Sequence, residues 1–206
     1  MPETPLSPST ATVERGLAAL RAAHDQDPKR RLRAGDEQAA ERVWCDAVAG
    51  WVERLDPDAS AALRLAAQAQ HLERWRDPRS DWPSGRAGYL TWRKAQLRAH
   101  AARAADLLGE AGCTDAVIAR VQQLVRKERL ASDPEAATLE DAACLAFLEL
   151  DLDDFARRQA REDVLRILAR TWRKMSPAGR RVAASIAFSA DSAELVRAAT
   201  GEERDD

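Results

Sequence analysis

Apolar residues recur along this chain at intervals of three and four positions, the spacing that places them on one face of a helix. No stretch shows the alternation of apolar and polar residues that predicts a half-buried strand. Ala, Leu, Arg and Glu are abundant, and all four favour helices. We therefore predict an all-α fold, a single-domain multi-helix bundle. The predicted helices span about residues 13–23, 36–55, 57–75, 86–110, 115–129, 138–155, 162–174, 177–188 and 191–199.

Several helix ends are marked by local signals. Asp56 precedes Pro57 as an N-cap precedes the first helical residue, and Ser176 precedes Pro177 in the same way. Thr138 to Asp141 has the spacing of a capping box, with Asp141 three residues after the cap, where an acid stabilises the helix start. We expect these signals to set the order of helices in one continuous domain.

The two ends of the chain differ in composition from the rest. Residues 1–12 are rich in Pro, Ser and Thr and carry no basic, apolar leader, so we expect a flexible N-terminal tail. Residues 200–206 predict an acidic, disordered tail. Residues 13–199 between them form the predicted helical domain, because no linker or internal repeat divides them.

Composition and charge narrow the class of protein. The 32 Lys and Arg residues are balanced by 34 Asp and Glu, giving a net charge of −2. Nothing therefore attracts the whole chain to nucleic acid or to a membrane, and no apolar run is long enough to cross one. Cys45, Cys113 and Cys144 are scattered, which argues against a disulfide framework and against a cysteine zinc site. We expect a cytoplasmic protein without a membrane partner; the sequence does not predict its oligomeric state.

The segment from Gln70 to His100 stands out by its local chemistry. It concentrates arginines and carries three of the six tryptophans and the only tyrosine, Tyr89. Arginine suits bidentate contacts with phosphate or carboxylate, and aromatic rings suit stacking. The Pro- and Gly-containing loop within the segment, Asp77 to Gly85, favours a binding site, because sites are often carried on loops held by helices. The alternative is that the tryptophans pack the loop while the arginines face solvent.

His71 and His100 bracket this segment. His100 is in register with Leu97 and Ala104, so it faces the core side of its helix, where a histidine is more often a hydrogen-bonded core residue than a ligand. Asp141 also has an ordinary structural explanation in the capping box. The three residues are more informative together, because they come from three different predicted helices.

A set of motifs spread along the chain resembles one particular family. The set includes the Gln-His pair, a Gly-Tyr-Leu-x-Trp-Arg motif and a Trp-Arg-Lys run before Ser-Pro. The residues are Ala66–Trp75, Pro78-Arg79, Gly85–Arg93, Leu124–Lys127, Leu139–Leu145 and Thr171–Pro177. Together they resemble the family called domain of unknown function 4202 over roughly residues 13 to 199. Members usually have Arg-Met where this chain has Ala47-Val48. The resemblance brings no established activity.

A more distant resemblance is to the helical HD-type metal phosphohydrolases. The order of His71, His100 and Asp141 is similar to the order of metal ligands in that class. The resemblance implies one divalent metal ion, of unspecified identity, that would activate a bound water and polarise a phosphoryl oxygen. Leu72 stands where the HD pair has its aspartate, and Arg126-Lys127 stand where some HD proteins carry further histidines.

Two hypotheses about function follow. The first is an HD-like metal-dependent phosphohydrolase acting on a small phosphorylated or nucleotide-like substrate. In it His71, His100 and Asp141 would be the catalytic and metal-ligating residues. The second is a non-catalytic helical module that binds an anionic ligand, either a nucleotide or, less favoured, a nucleic acid. Both use the same predicted anion-binding residues, Arg74, Arg79, Arg86, Arg93, Arg126 and Lys127.

Overall fold

The computed structural model describes residues 8–33 and 35–201, and within them the chain is predominantly helical. This confirms the predicted all-α, single-domain bundle. Two short 3-10 turns, at 74–76 and 79–81, lie in the loop before the longest helix. The elements of this described part are α1 (Thr10–His24), β1 (Arg30–Arg33), β2 (Asp36–Ala39), α2 (Ala40–Leu55), α3 (Ala61–Gln68), α4 (Gly85–Glu110), α5 (Asp115–Val125), α6 (Pro134–Leu150), α7 (Leu152–Arg158), α8 (Arg161–Lys174), α9 (Pro177–Ala183) and α10 (Ala190–Thr200).

The core lies around α2, which packs against both α3 and α6. Val48 and Val52 of α2 are completely buried, as are Leu65 of α3 and Leu145 of α6. Each such side chain contributes on the order of 1.5–3 kcal/mol when it leaves water. Helices α4 and α5 pack against each other, and α8 packs against α10. Among the described residues, no helix has both the length and the apolar character needed to cross a membrane.

The start of the second predicted helix is a hairpin instead. β1 and β2 pair antiparallel, with Arg31 opposite Gln38, and Gly35 in the turn has a φ of 94°. The strands are too short and too polar to produce an apolar alternation, so the sequence pattern could not reveal them. The hairpin is held to the end of α6 by ion pairs from Arg31 to Asp151 and from Arg33 to Glu149.

The third predicted helix is much shorter than expected. α3 begins after Ser60, whose hydroxyl accepts a hydrogen bond from the Leu63 amide, rather than at Asp56. It ends at Gln68 because the chain soon enters the left-handed region, with φ of 53° at His71 and 54° at Glu73. Such values are uncommon outside glycine and interrupt a right-handed helix. The residues after α3 therefore form a loop against α4.

The start of α6 also differs from the prediction. Asp133 is its N-cap and accepts hydrogen bonds from the amides of Glu135 and Ala136, with Pro134 at the first helical position. This Asp-Pro pair begins the helix four residues before Thr138, so the predicted capping box is not used. Asp141 consequently lies within the helix rather than at its first turn.

The remaining boundaries shift by smaller amounts. α1 begins at Thr10, inside the predicted N-terminal tail, and α10 extends to Thr200. Residues 1–7 and 202–206 of the two predicted tails lie outside the described residues. α9 ends at Ala183, five residues earlier than expected, and the predicted helix 138–155 is divided between α6 and α7.

Candidate functional site

A pocket of about 230 Å³ lies beside the N-terminal half of α4. Nine of its lining residues fall between Gln70 and His100, so it forms largely within the segment that the sequence singles out. The other lining residues come from α2, the end of α5, α6 and the end of α8: Trp44, Lys127, Ala143 and Lys174.

His71 lies at the wall formed by α2. Its imidazole stacks on the Trp44 indole, with the ring centroids 3.8 Å apart and the planes inclined by 20°. Its Nδ1 is 3.2 Å from a carboxylate oxygen of Glu41. Burial lowers the pKa of His71, Glu41 opposes this, and the cations Arg74 and Lys127 lower it further, so the net shift is downward. The left-handed backbone at His71 directs the ring to this position and has a cost of about 1–2 kcal/mol.

His100 is buried on the core side of α4. Its Nδ1 lies 2.8 Å from the carbonyl oxygen of Leu72, and since a carbonyl only accepts, Nδ1 carries the proton. Burial, with the nearby His71 and Arg74, lowers the pKa of His100 to about 3. The ring is therefore neutral at physiological pH and has an unprotonated Nε2. The rings of His71 and His100 are 6.3 Å apart.

The Arg74 guanidinium contacts two aromatic rings, those of Trp92 and His71. Its guanidinium carbon is 4.9 Å from the centroid of the Trp92 ring, within the range of a cation–π contact. Its Nη1 approaches the His71 ring nitrogens at 3.2 and 3.3 Å. Arg74 forms no ion pair with any carboxylate of the described residues. Arg74 helps to lower the pKa of Glu41, which stands behind His71, but no carboxylate of the described residues contacts this half-buried guanidinium directly.

A second group of cations meets on the opposite side of the pocket. Lys127 forms an ion pair with Glu140, and Lys174 lies 3.5 Å from the other oxygen of the same carboxylate. Burial alone would raise the pKa of Glu140, but Lys127, Lys174 and Arg93 lower it by more. Lys127 is also left-handed, with φ of 58°. Left-handed residues outside glycine cluster at functional sites, and this pocket has two.

Asp77 connects the loop to α4 through hydrogen bonds. Its carboxylate accepts hydrogen bonds from the Trp82 indole at 2.6 Å and from the Gln96 amide at 2.6 Å. Its backbone carbonyl accepts a third from the Trp92 indole at 3.0 Å. Asp77 therefore holds Trp92 and Gln96, both pocket residues, in position. Gly88 permits the close approach of the loop to α4, since a Cβ there would lie 1.8 Å from the Pro83 carbonyl oxygen.

The comparisons with known proteins place the chain in a family. A family model described as "Domain of unknown function (DUF4202)" matches residues 14–196. The chain belongs to the DUF4202 family. The match spans every residue that lines the pocket. Searches of curated proteins and of solved structures found no match.

In this DUF4202 chain the predicted site residues divide into two groups. Five line the pocket: His71, His100, Arg74, Arg93 and Lys127. The others serve elsewhere. Arg79 donates to the carbonyls of Trp82, Pro83 and Gly85 and clamps the loop. Arg86 lines a neighbouring groove, and Arg126 pairs with Glu128.

Asp141 does not join the two histidines as a ligand. Its carboxylate accepts hydrogen bonds from the amide and hydroxyl of Ser176, the former at 2.8 Å, and so supports the start of α9. Gly179 packs so closely on Asp141 that a Cβ would lie 2.6 Å from the carboxyl carbon. No group of three His, Cys, Asp or Glu in the described ranges is arranged to hold a metal ion. The residues present thus do not fit the predicted ion shared by His71, His100 and Asp141.

Sequence reasoning missed several residues that line the DUF4202 pocket or stand directly behind its lining. Trp44 and Glu41 belong to α2, far from the singled-out segment, and only the folded chain brings them to His71. Glu140 is next to the predicted Asp141 and is the carboxylate that faces the cations. Lys174 lies in the Trp-Arg-Lys run that carried the family resemblance, so that motif was its one available signal. Ala47 and Val48, where members usually have Arg-Met, are buried in α2 and do not line the pocket.

Proposed function

We propose that the pocket binds a small anionic molecule, and that a phosphate group of a nucleotide-like compound is its natural occupant. Four cations line it: Arg74, Arg93, Lys127 and Lys174. No carboxylate of the described residues lines it, and Glu41 and Glu140 stand behind His71 and the lysines. Two carboxylates against four cations leave an excess of positive charge at a partly buried site.

Arg74 carries this proposal. Its guanidinium is partly buried, and a charged group that has lost some of its water is stabilised by an opposite charge. Its contacts are an indole face and a neutral imidazole, neither of which carries a negative charge. An incoming phosphate or carboxylate would supply that charge and could accept two hydrogen bonds from the guanidinium fork.

The aromatic side chains favour a nucleotide over a bare anion. Tyr89 and Trp92 lie together at the pocket, with their ring centroids 6.1 Å apart, and Tyr89 is 45% exposed. An exposed ring beside a cationic pocket offers a stacking surface to a base. Since overall charge is −2, the proposal concerns a local site and a small ligand rather than general attraction to nucleic acid.

A thermal-shift screen against inorganic phosphate, mononucleotides and sugar phosphates tests the proposal. A ligand at 100 times its dissociation constant stabilises the folded state by about 2.7 kcal/mol. For a chain of this size that corresponds to a rise in Tm of roughly 5–10 °C. Nucleosides without phosphate serve as controls. A rise with phosphorylated compounds alone supports the proposal, and equal Tm values with and without every anion contradict it.

A second candidate is an HD-like phosphohydrolase. The imidazoles of His71 and His100 lie 6.3 Å apart beside the proposed phosphate position, and a neutral imidazole such as that of His71 can accept a proton during hydrolysis. His100, with a pKa of about 3, is too weak a base for that role. The divalent ion of that hypothesis lacks support from the contacts of Asp141, and Arg74 and Lys127 would repel it. Release of inorganic phosphate, with and without added Mg²⁺ or Mn²⁺, tests the activity. Metal below about 0.1 equivalent after tag-free purification, unchanged on adding metal back, contradicts a metal enzyme.

We also propose that the protein is cytoplasmic. Phosphorylated small molecules are available in that compartment, and a reducing environment suits the chain's three unpaired, buried cysteines. Cys144 is not a candidate nucleophile, since burial raises the pKa of its thiol to about 12. Fractionation of cells that produce the protein checks the location.

A further inference from the structure

A groove of about 780 Å³ opens directly beside the pocket, between the first turns of α4 and the outer face of α8. It shares Tyr89, Arg93 and Lys174 with the pocket. The two spaces are therefore adjacent along the same wall, and a ligand longer than the pocket would enter the groove next.

The groove is cationic beyond the residues that it shares. Arg86, Arg166 and Arg170 line it, and within the described part of the chain no carboxylate does. Arg166 pairs with Asp163 at an exposed position, whereas Arg86 and Arg170 form no ion pair within residues 8–33 and 35–201. Three arginines at a distance from Arg74 provide a second place for negative charge.

Apolar side chains line the groove together with these arginines. Leu90 is 48% exposed in the groove and Tyr89 is 45% exposed at the boundary with the pocket, and both are large apolar residues that ordinarily prefer burial. Phe147 and Ile167 complete this surface. It offers contact to a flat, weakly polar group such as a base.

The pocket is small compared with ordinary ligand sites. Binding pockets for small ligands are usually about 300–1,000 Å³, and this pocket is about 230 Å³. The adjoining groove of about 780 Å³ provides space for the part of a longer ligand that lies outside the pocket.

We propose that the ligand extends from the pocket into the groove and is a dinucleotide with a terminal phosphate. This rests on the proposed function, because the terminal phosphate is the anion placed against Arg74. The bases would lie on Tyr89 and Leu90, and the internucleotide phosphate would face Arg86, Arg166 and Arg170. A single phosphate in the pocket leaves Arg86 and Arg170 without an anionic partner, and an acyl chain in the groove would place hydrocarbon against all three arginines.

Calorimetric titration with three defined probes tests this inference. The probes are the 5′-phosphorylated dinucleotide pApA, the unphosphorylated dinucleotide ApA, and AMP. We expect pApA to bind at least about tenfold tighter than AMP, because its internucleotide phosphate adds hydrogen bonds between charged groups in the groove. Arg170→Ala should abolish this advantage and leave AMP affinity within about twofold of the wild type. Arg98→Ala removes an exposed arginine of α4 that lines neither space, and is the matched control.

The outcomes separate this inference from the proposed function. If AMP binds but pApA binds no tighter, or if Arg170→Ala weakens both equally, the extended ligand is wrong and the anion pocket stands. If affinity continues to rise steeply from pApA to longer oligonucleotides, the dinucleotide is overturned in favour of single-stranded nucleic acid. If neither AMP nor pApA binds, both proposals fail.

Discussion

The Trp44 indole and the His71 imidazole are stacked, with their centroids 3.8 Å apart. Trp44 comes from α2, whereas His71 comes from the loop after α3 and has a left-handed backbone. The stack therefore ties the loop to the core helix at one of its two left-handed residues, the other being Glu73. Arg74 lies three residues after His71 and contacts its ring, so interactions that stabilise the stack also hold Arg74 at the pocket.

Loss of that stack should weaken both the fold and the pocket. Trp44→Leu keeps an apolar side chain but removes the ring, and we expect the free energy of unfolding to fall by about 1–3 kcal/mol. Trp44→Phe retains a stacking ring and should lose less. Urea denaturation of the two variants measures the difference. Equal stabilities for the two would mean that the stack itself contributes nothing.

The buried histidines should make the protein less stable in mild acid. Burial lowers the pKa of His100 from 6.5 to about 3, and burial also lowers that of His24. Between those values the unfolded chain binds more protons than the folded one, so the free energy of unfolding falls as pH falls from 6.5. For one such group the slope approaches about 1.4 kcal/mol per pH unit.

Urea denaturation at several pH values between 5 and 7 checks this dependence. The carboxylates with lowered pKa values, such as Glu140, lose their contribution mainly below this range. His100→Asn keeps a donor for the Leu72 carbonyl without a titrating ring and should show a smaller slope. A free energy of unfolding that is flat over the range in the wild type would contradict the lowered pKa values.

Asp141 should be needed for stability and not for ligand binding. Its carboxylate accepts hydrogen bonds from the amide and the hydroxyl of Ser176, the N-cap of α9, and a hydrogen bond to a charged group contributes about 1.5–3 kcal/mol. We expect Asp141→Asn to lower the midpoint of denaturation and to leave AMP affinity unchanged in the folded variant. A folded variant that no longer binds AMP would instead place Asp141 at the ligand.

A glycine at position 129 should stabilise the protein. Arg129 is exposed, lies outside the pocket and has a φ of 55°, a left-handed value that disfavours any side chain with a Cβ. Arg129→Gly should raise the free energy of unfolding by about 1 kcal/mol relative to Arg129→Ala, which removes the same charge but keeps the Cβ. The Gly–Ala difference isolates the backbone effect, and no difference would contradict it.

The helices that the sequence predicts well are those with strong local signals. The start of α9 follows from Ser176 and Pro177, and the end of α4 follows from Gly112, which has the positive φ expected there. The boundaries that fail are those where two signals compete. At α6 both Asp133 and Thr138 are plausible caps, and Asp133 prevails because Arg120 also binds it from α5.

The sequence predicts which segment carries most of the site, but not how the side chains of that segment are arranged. Gln70 to His100 is recognisable from its arginines and aromatic residues, and most of the pocket lies there. Residue type alone could not separate Arg74, which faces the pocket, from Arg79, which clamps backbone carbonyls. Similarly, Glu140 and Asp141 are adjacent in sequence but point in different directions from α6. Glu140 faces Lys127 and Lys174, whereas Asp141 faces Ser176.

The most direct measurement of the central claim is the affinity of AMP for the wild type, Arg74→Ala and Arg98→Ala by calorimetry at one ionic strength. We predict that Arg74→Ala binds at least about tenfold more weakly, since it removes a charged donor from the proposed phosphate position, while Arg98→Ala binds as the wild type does. Circular dichroism establishes that both variants are folded. Equal affinity in the wild type and a folded Arg74→Ala variant would contradict the account, as would no binding of AMP at all.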